Sequence, residues 1–215
     1  MFPCLPVGRY AVLILCRVYV KLCFIIFFML SPHKPKSGSL IVSEPFMSDP
    51  NFKRSVVLLT ECEEAGAVGF ILNQRSDLLL NDLIPDLKGA DFPVYFGGPV
   101  AADTLHFVHS CYDKLNSGVM IRKGVFWGGN FETIKILFNN NQLSHDEIKF
   151  FVGYSGWGAG QLNEELDQNS WLVTDKYSPE VIFVEDEENL WREVVIGLGP
   201  KYAHIANFPQ NPQWN

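Results

Sequence analysis

The stretch Phe150-Phe151-Val152-Gly153-Tyr154-Ser155-Gly156-Trp157-Gly158-Ala159-Gly160-Gln161-Leu162 constrains this chain more than any other. Its four glycines lie between an apolar run and the polar, helix-prone Asn163-Glu164-Glu165-Leu166. Phe, Val, Tyr and Trp are too costly to leave in water, so this is not a flexible linker. The stretch reads as a strand that enters a tight, glycine-lined turn and leaves as a helix. Such a turn either holds a ligand or redirects the backbone around a core, and both readings stay open at this level.

The 215 residues suffice for one domain with a proper core and are too few to argue for two. A hydrophobic content of 47% with 13% aromatics places the chain among globular proteins and excludes disorder. Only Cys62 and Cys111 of the five cysteines fall outside the first 23 residues, and no C-x-x-C pair occurs. That pattern is neither a disulfide framework nor a zinc site, and it suits a reducing, cytoplasmic setting.

Residues 1–28 differ from the rest. They carry Arg9, Arg17 and Lys21, no acid, and mostly apolar side chains. Arg17 and Lys21 divide the segment, and the uncharged run over 22–32 has eleven residues where a span needs about 20. Residues 22–30 could serve as the apolar core of a signal peptide, but no A-x-A-like cleavage site follows. A translation start at Met29 is the third reading. It makes 29–215 a single domain and 1–28 an extension outside it. Without the three basic residues the formal charge falls from −7 to −10. The remaining basic clusters are His33-Lys34-Pro35-Lys36 and Lys53-Arg54, so direct nucleic-acid binding by the globular body is disfavoured.

Taken in order, the pattern predicts strands over 39–46, 55–60 and 67–73, joined by the turn Asp49-Pro50-Asn51 and the acidic loop 61–66. Three strands in succession with short turns argue for an antiparallel sheet. A helix is expected over 78–84, ended near Pro85, then strands over 94–96 and 105–110 and an apolar run at 124–129. Asn130 is a good N-cap for a helix through Leu137. Ser144-His145-Asp146-Glu147 resembles a capping box, but the alternation from Ile148 to Tyr154 suits a strand better. After the glycine turn a short helix spans 161–166. Strands follow at 170–173 and 181–184, then a helix over 186–198, ended by Gly199-Pro200 with acids in its first turn. The tail, with Pro209 and Pro212, reads as extended.

Several blocks carry a resemblance together. They are Gly38-Ser39-Leu40-Ile41-Val42-Ser43-Glu44-Pro45, Phe52-Lys53-Arg54-Ser55-Val56-Val57, Gly66-Ala67-Val68-Gly69-Phe70-Ile71-Leu72-Asn73, Gly97-Gly98-Pro99-Val100, and 153–162. Their order, over residues 38–198, resembles the YqgE/AlgH family of bacterial proteins, and the ending over 207–212 looks like that of Bacteroidetes-type members. The resemblance implies a single α+β domain, an antiparallel barrel-like sheet with flanking helices. It implies no activity and no cofactor. Some members carry a putative transcriptional regulator label, which rests on a genetic link to alginate production and not on a DNA contact.

Gly153-Tyr154-Ser155-Gly156-Trp157 fails as a nucleophile elbow, because Trp157 stands where G-x-S-x-G needs glycine. The resembling family also accommodates alanine in place of Ser155, so no catalytic residue is assigned. The spacing of Gly156, Gly158 and Gly160 matches neither phosphate-binding pattern. On a strand His106 points away from His109 and Cys111, which leaves at most two converging ligands and no metal site. Glu61, Glu63, Glu64, Glu164 and Glu165 read as solvated surface. One constellation is left. If Gly97-Gly98-Pro99 and Gly128-Gly129-Asn130 lie beside the turn at 153–160, they form a glycine-lined cleft. Tyr154, Trp157 and Trp127 would wall it, and Asn73, Asn130 and Gln161 would orient a ligand. The ligand-binding candidates are therefore Gly97, Gly98, Asn130, Tyr154, Trp157, Gly158 and Gln161. The expected function is a non-enzymatic cytoplasmic binding or regulatory role toward a protein partner or small ligand. The alternative is a small enzyme using the same cleft.

Overall fold

Apolar and β-branched residues fill 40–42, 56–59 and 67–72, and each run forms a strand buried on both faces. The computed structural model describes residues 34–87, 91–185 and 187–208. The 1–28 extension, the start at Met29 and the tail beyond Phe208 lie outside the described residues. The strands are β1 (Leu40–Ser43), β2 (Val56–Glu63), β3 (Gly66–Ile71), β4 (Arg75–Leu79), β5 (Pro93–Phe96), β6 (Val100–His109), β7 (Val119–Arg122), β8 (Val125–Trp127), β9 (Ile148–Gly158) and β10 (Trp171–Thr174). The helices are α1 (Leu80–Leu83), α2 (Tyr112–Leu115), α3 (Phe131–Asn139), α4 (Gln161–Asp167) and α5 (Glu187–Gly197).

The ladder runs β10-β1-β2-β3-β9-β6-β8-β7, with β5 joined in parallel to β9 and β4 joined to β5. All other pairings are antiparallel. Alternation along the strands sorts side chains to two faces. Leu40, Val42, Leu58, Phe70, Val108, Ile121, Phe151 and Leu172 converge on one interior, which α5 covers with Leu190, Trp191, Val194 and Val195. Trp191 donates its indole N–H to the Ser43 carbonyl at 2.9 Å, so a buried polar atom also anchors this helix. On the opposite face, Ile41, Val57, Trp157 and Trp171 pack against Leu162 and Leu166 of α4. Farther along that face, Ile134, Leu137 and Phe138 of α3 cover Phe107, Phe150 and Val152. Asn130 caps α3 as expected, accepting from the Glu132 and Thr133 amides.

The α+β architecture follows the expectation, but the sheet is not closed by a backbone ladder. Its two ends meet through side chains instead. Ser37 Oγ, which donates to the Thr60 carbonyl at 2.7 Å, lies 3.5 Å from the Ile121 carbonyl, and beyond β10 Tyr177 Oη donates to the Gly38 carbonyl at 2.6 Å. The Arg122 guanidinium lies 3.9 Å over the Tyr177 ring and donates to the Asp175 and Tyr177 carbonyls.

Three local expectations need correction. The glycine-lined turn at 153–160 is strand as far as Gly158, because β9 must keep pairing with β3 as far as Gly66↔Gly158. Only Ala159 and Gly160 turn before α4 begins. Gly153 sits mid-strand at φ +66, and a Cβ there would lie 2.7 Å from the Gly98 carbonyl oxygen. This left-handed residue shifts the alternation, so that Tyr154 packs against the same interior as Phe151. The helix expected over 78–84 is reduced to the single turn α1. Residues 75–79 pair with β5, and Ser76 Oγ donates to the Val94 carbonyl. Residues 181–184 form no strand, since Pro179 starts a 3-10 turn over Pro179–Ile182.

Candidate functional site

The ligand-binding candidates fall into separate places. Gly97 and Gly98 run directly against β9: the Gly97 amide donates to the Val152 carbonyl, and a Cβ on Gly97 would sit 2.3 Å from the Gly153 carbonyl oxygen. Ser155 is fully buried and donates its hydroxyl to the Gly97 carbonyl at 2.9 Å, so here it ties the two backbones together. Tyr154 lies beside His106 on the interior face, with ring centroids 5.9 Å apart. Trp157 belongs to the opposite face, and Asn130 caps α3. Backbone fills the space between the two glycine runs of 97–98 and 153–155.

Trp157, Gly158 and Gln161 do come together, around a residue the charge pattern hid. Glu165 Oε2 accepts the indole N–H of Trp157 at 2.9 Å and of Trp171 at 2.7 Å, while its Oε1 accepts from Gln161 Nε2. Gln161 Oε1 in turn accepts the Gly158 amide at 3.0 Å. Glu165 is therefore not plain solvated surface, whereas Glu164 is exposed. Two tryptophans flanking a short acidic helix were the available signal, because a buried indole needs an acceptor.

His106 and His109 point apart, as strand alternation requires. His106 Nε2 lies 2.9 Å from Thr104 Oγ1. His109 is fully buried, with Nε2 3.2 Å from the Gly128 carbonyl. A carbonyl accepts, so Nε2 carries the proton and Nδ1 faces Cys111 Sγ at 3.7 Å as its acceptor. Burial pushes the Cys111 thiol up to about 11, far from the thiolate range of a reactive cysteine.

Two cavities stand out among the described residues, and neither is lined by any of those candidates. The first is a groove of about 170 Å³ between α5 and β10. Tyr177, Val181, Val184, Leu190 and Val194 form its apolar walls, with Thr174, Lys176 and Glu193 at hand. The second is a niche of about 10 Å³, room for one water molecule, bordered by Phe92, Tyr95, His145, Lys149, Phe183 and Glu185. Lys149 alternates with apolar neighbours on β9, and nothing in its spacing separates it from a solvated lysine. It faces the interior and is 4% exposed. Its Nζ donates to the Val184 carbonyl at 2.8 Å and lies 4.0 Å over the Tyr95 ring. Burial lowers its pKa to about 7, opposed in part by Glu187 and Glu185. Tyr95 donates to Glu187 Oε1 at 2.9 Å, and burial together with that carboxylate raises its phenol. At the mouth, His145 Nδ1 is 2.8 Å from Glu185 Oε1.

A curled, mostly antiparallel sheet plugged by one helix, with its glycines used for backbone packing, defines a single α+β domain of AlgH-like architecture. The AlgH-like family model (DUF179) matches residues 40–203, and the chain belongs to this family. A UPF0301 protein of Chlorobium limicola is 38% identical over 182 residues, covering 85% of this chain and 97% of that one. One from Bacteroides thetaiotaomicron is 38% identical over 182 residues, covering 84% and 92%. The solution structure of the AlgH protein from Pseudomonas aeruginosa superposes with a TM-score of 0.63 at 25% identity, covering 83% of this chain and 98% of that chain. The crystal structure of a Corynebacterium diphtheriae protein gives 0.69 at 20% identity, covering 82% and 94%. Among the described residues no helix is long and apolar enough to cross a membrane.

Proposed function

We propose that this chain is a cytoplasmic binding protein with a regulatory role, and that it carries a small, largely apolar ligand in the groove between α5 and β10. The groove itself carries this reading. Its volume of about 170 Å³ is close to the ~150 Å³ of an engineered apolar cavity that takes up benzene. Lys176 and Glu193 on its border would orient one polar substituent. The acidic charge of −7 supports a role exercised without direct nucleic-acid contact.

Native mass spectrometry of the full-length protein tests the reading. The expected result is a non-covalent adduct that is released on denaturation and is lost when Val194→Trp fills the groove, with the circular dichroism spectrum unchanged. Absence of any adduct, together with no thermal shift across a panel of small apolar ligands, would overturn the reading. So would a sequence-specific gel shift on DNA at physiological salt.

A further inference from the structure

The groove between α5 and β10 carries two charges that its apolar walls do not require. On α5, Leu190, Glu193, Val194 and Gly197 recur at helical spacing, so a carboxylate stands on the face that borders the groove. On the facing wall Lys176 follows Thr174, which alternation turns to the same side as Leu172, toward α5. The Lys176 ammonium and the Glu193 carboxylate have no ion-pair or hydrogen-bond partner among the described residues, each other included. Thr174 is 5% exposed and its Oγ1 accepts the Lys176 amide at 3.2 Å, while its hydroxyl proton has no acceptor among the described residues. Gly197 adds a second sign. A Cβ there meets nothing within 4 Å, and the left-handed glycine that follows α5 is Gly199, at φ +113. Neither crowding nor capping therefore calls for glycine at 197, where alanine would favour the helix. Its missing side chain keeps that end of the groove open.

We propose that the groove binds a free α-amino acid with an apolar side chain, such as leucine or phenylalanine. That ligand presupposes the binding groove proposed above and adds to it two charges of opposite sign. The side chain lies between Val181, Leu190 and Val194, where about 170 Å³ is comparable to the ~150 Å³ that accepts a benzene ring. The carboxylate meets the Lys176 ammonium and the Thr174 hydroxyl, and the α-ammonium meets Glu193 across the groove. A hydrocarbon in the same place would take solvent from both charged groups and return nothing to either. A ligand of one charge would leave the other group in that condition. The interior of a peptide chain carries neither terminal charge, and glycine or an acidic amino acid has no apolar body to bury. An apolar amino acid answers the walls and both charges together.

The test is isothermal titration calorimetry on the full-length protein, with leucine, phenylalanine, isocaproate, isopentylamine and toluene as probes. Leucine or phenylalanine binds one per chain, about tenfold or more tighter than isocaproate and isopentylamine, the leucine analogues that lack one charge. Lys176→Ala and Glu193→Gln, both at exposed positions, each weaken leucine by about tenfold or more and leave toluene unchanged. Gly197→Leu closes the groove to both, with the circular dichroism spectrum unchanged. Toluene uptake without tighter binding of the amino acids would overturn the amino-acid assignment and leave the groove a site for apolar ligands. A loss confined to one of the two charge variants, or leucine binding that survives Gly197→Leu, would also overturn it. No uptake of any probe would remove the groove as a binding site altogether.

Discussion

Glu165 is the most exacting place to perturb this fold. Its carboxylate is the acceptor for two indole N–H groups whose side chains are 5% and 1% exposed. In Glu165→Ala both donors lose their partner, and a buried unsatisfied donor costs about 1–3 kcal/mol. The two together set a ceiling of about 6 kcal/mol. Glu165 itself is only half-buried, so water enters beside the shortened side chain and part of the loss is recovered. The expected destabilisation is therefore about 2–4 kcal/mol. Glu165→Gln keeps one oxygen that can accept from both indoles and gives up only the bond from Gln161 Nε2, an exposed group that water can satisfy, while Gln161 Oε1 stays on the Gly158 amide. That variant should lose about 1 kcal/mol or less. Urea unfolding followed by circular dichroism distinguishes the two. With a slope of about 2 kcal/mol per molar urea, the alanine variant's midpoint falls by about 1–2 M and the glutamine variant's by less than half of that. Equal midpoints for the two variants, or an alanine variant within experimental error of the parent, would refute the acceptor argument and return Glu165 to the solvated surface.

The glycines of the corner differ sharply in what a methyl group meets. Gly97→Ala drives a Cβ to 2.3 Å from the Gly153 carbonyl oxygen and 2.8 Å from the Phe70 ring, so a loss above about 3 kcal/mol or failure to fold is expected. Gly160→Ala meets nothing within 4 Å and bears only its φ of +78, so it should cost about 1–2 kcal/mol, readable by thermal unfolding. Lys149 sets a pH dependence whose sign follows from its lowered pKa. Between pH 7 and pH 10 the unfolded chain binds the proton that the folded chain has released, so stability rises with pH, by at most ~1.4 kcal/mol per unit. Below pH 7 both states hold the proton and this contribution is flat. Comparing denaturant unfolding at pH 7 and pH 9 should show the parent gaining about 2 kcal/mol relative to Lys149→Met, and parallel pH slopes would refute the assignment.

Much of the sheet was legible because its central strands are buried on both faces and read as unbroken apolar runs. β1, β2 and β3 fall where Leu40-Ile41-Val42, 55–60 and 67–73 placed them. The N-cap at Asn130 and the helix beginning just after Asp186 were equally plain, since capping is a local matter. The course of 153–158 was not. A glycine in a turn and a glycine under a crossing backbone look alike until the crossing strand is placed, and here the crossing comes from 97–98, more than 50 positions away. Lys149 and Glu165 were hidden for a related reason. Their partners, Val184, Tyr95, Trp157 and Trp171, lie on other elements, and a charged residue in an alternating or acidic stretch carries no mark of the fold around it.

The side-chain join between β7 and the first described residues has a consequence for how the chain assembles. The join brings Ser37 to Ile121 across 84 positions, and Arg122 to Asp175 and Tyr177 across 53 and 55. Loops of that span are the slowest to close, because their entropy is lost before any contact rewards it. The hairpins β1–β2–β3 and β7–β8 need no such reach. The hoop is therefore fastened after its staves are made, and Arg122 and Tyr177 act as the buckle.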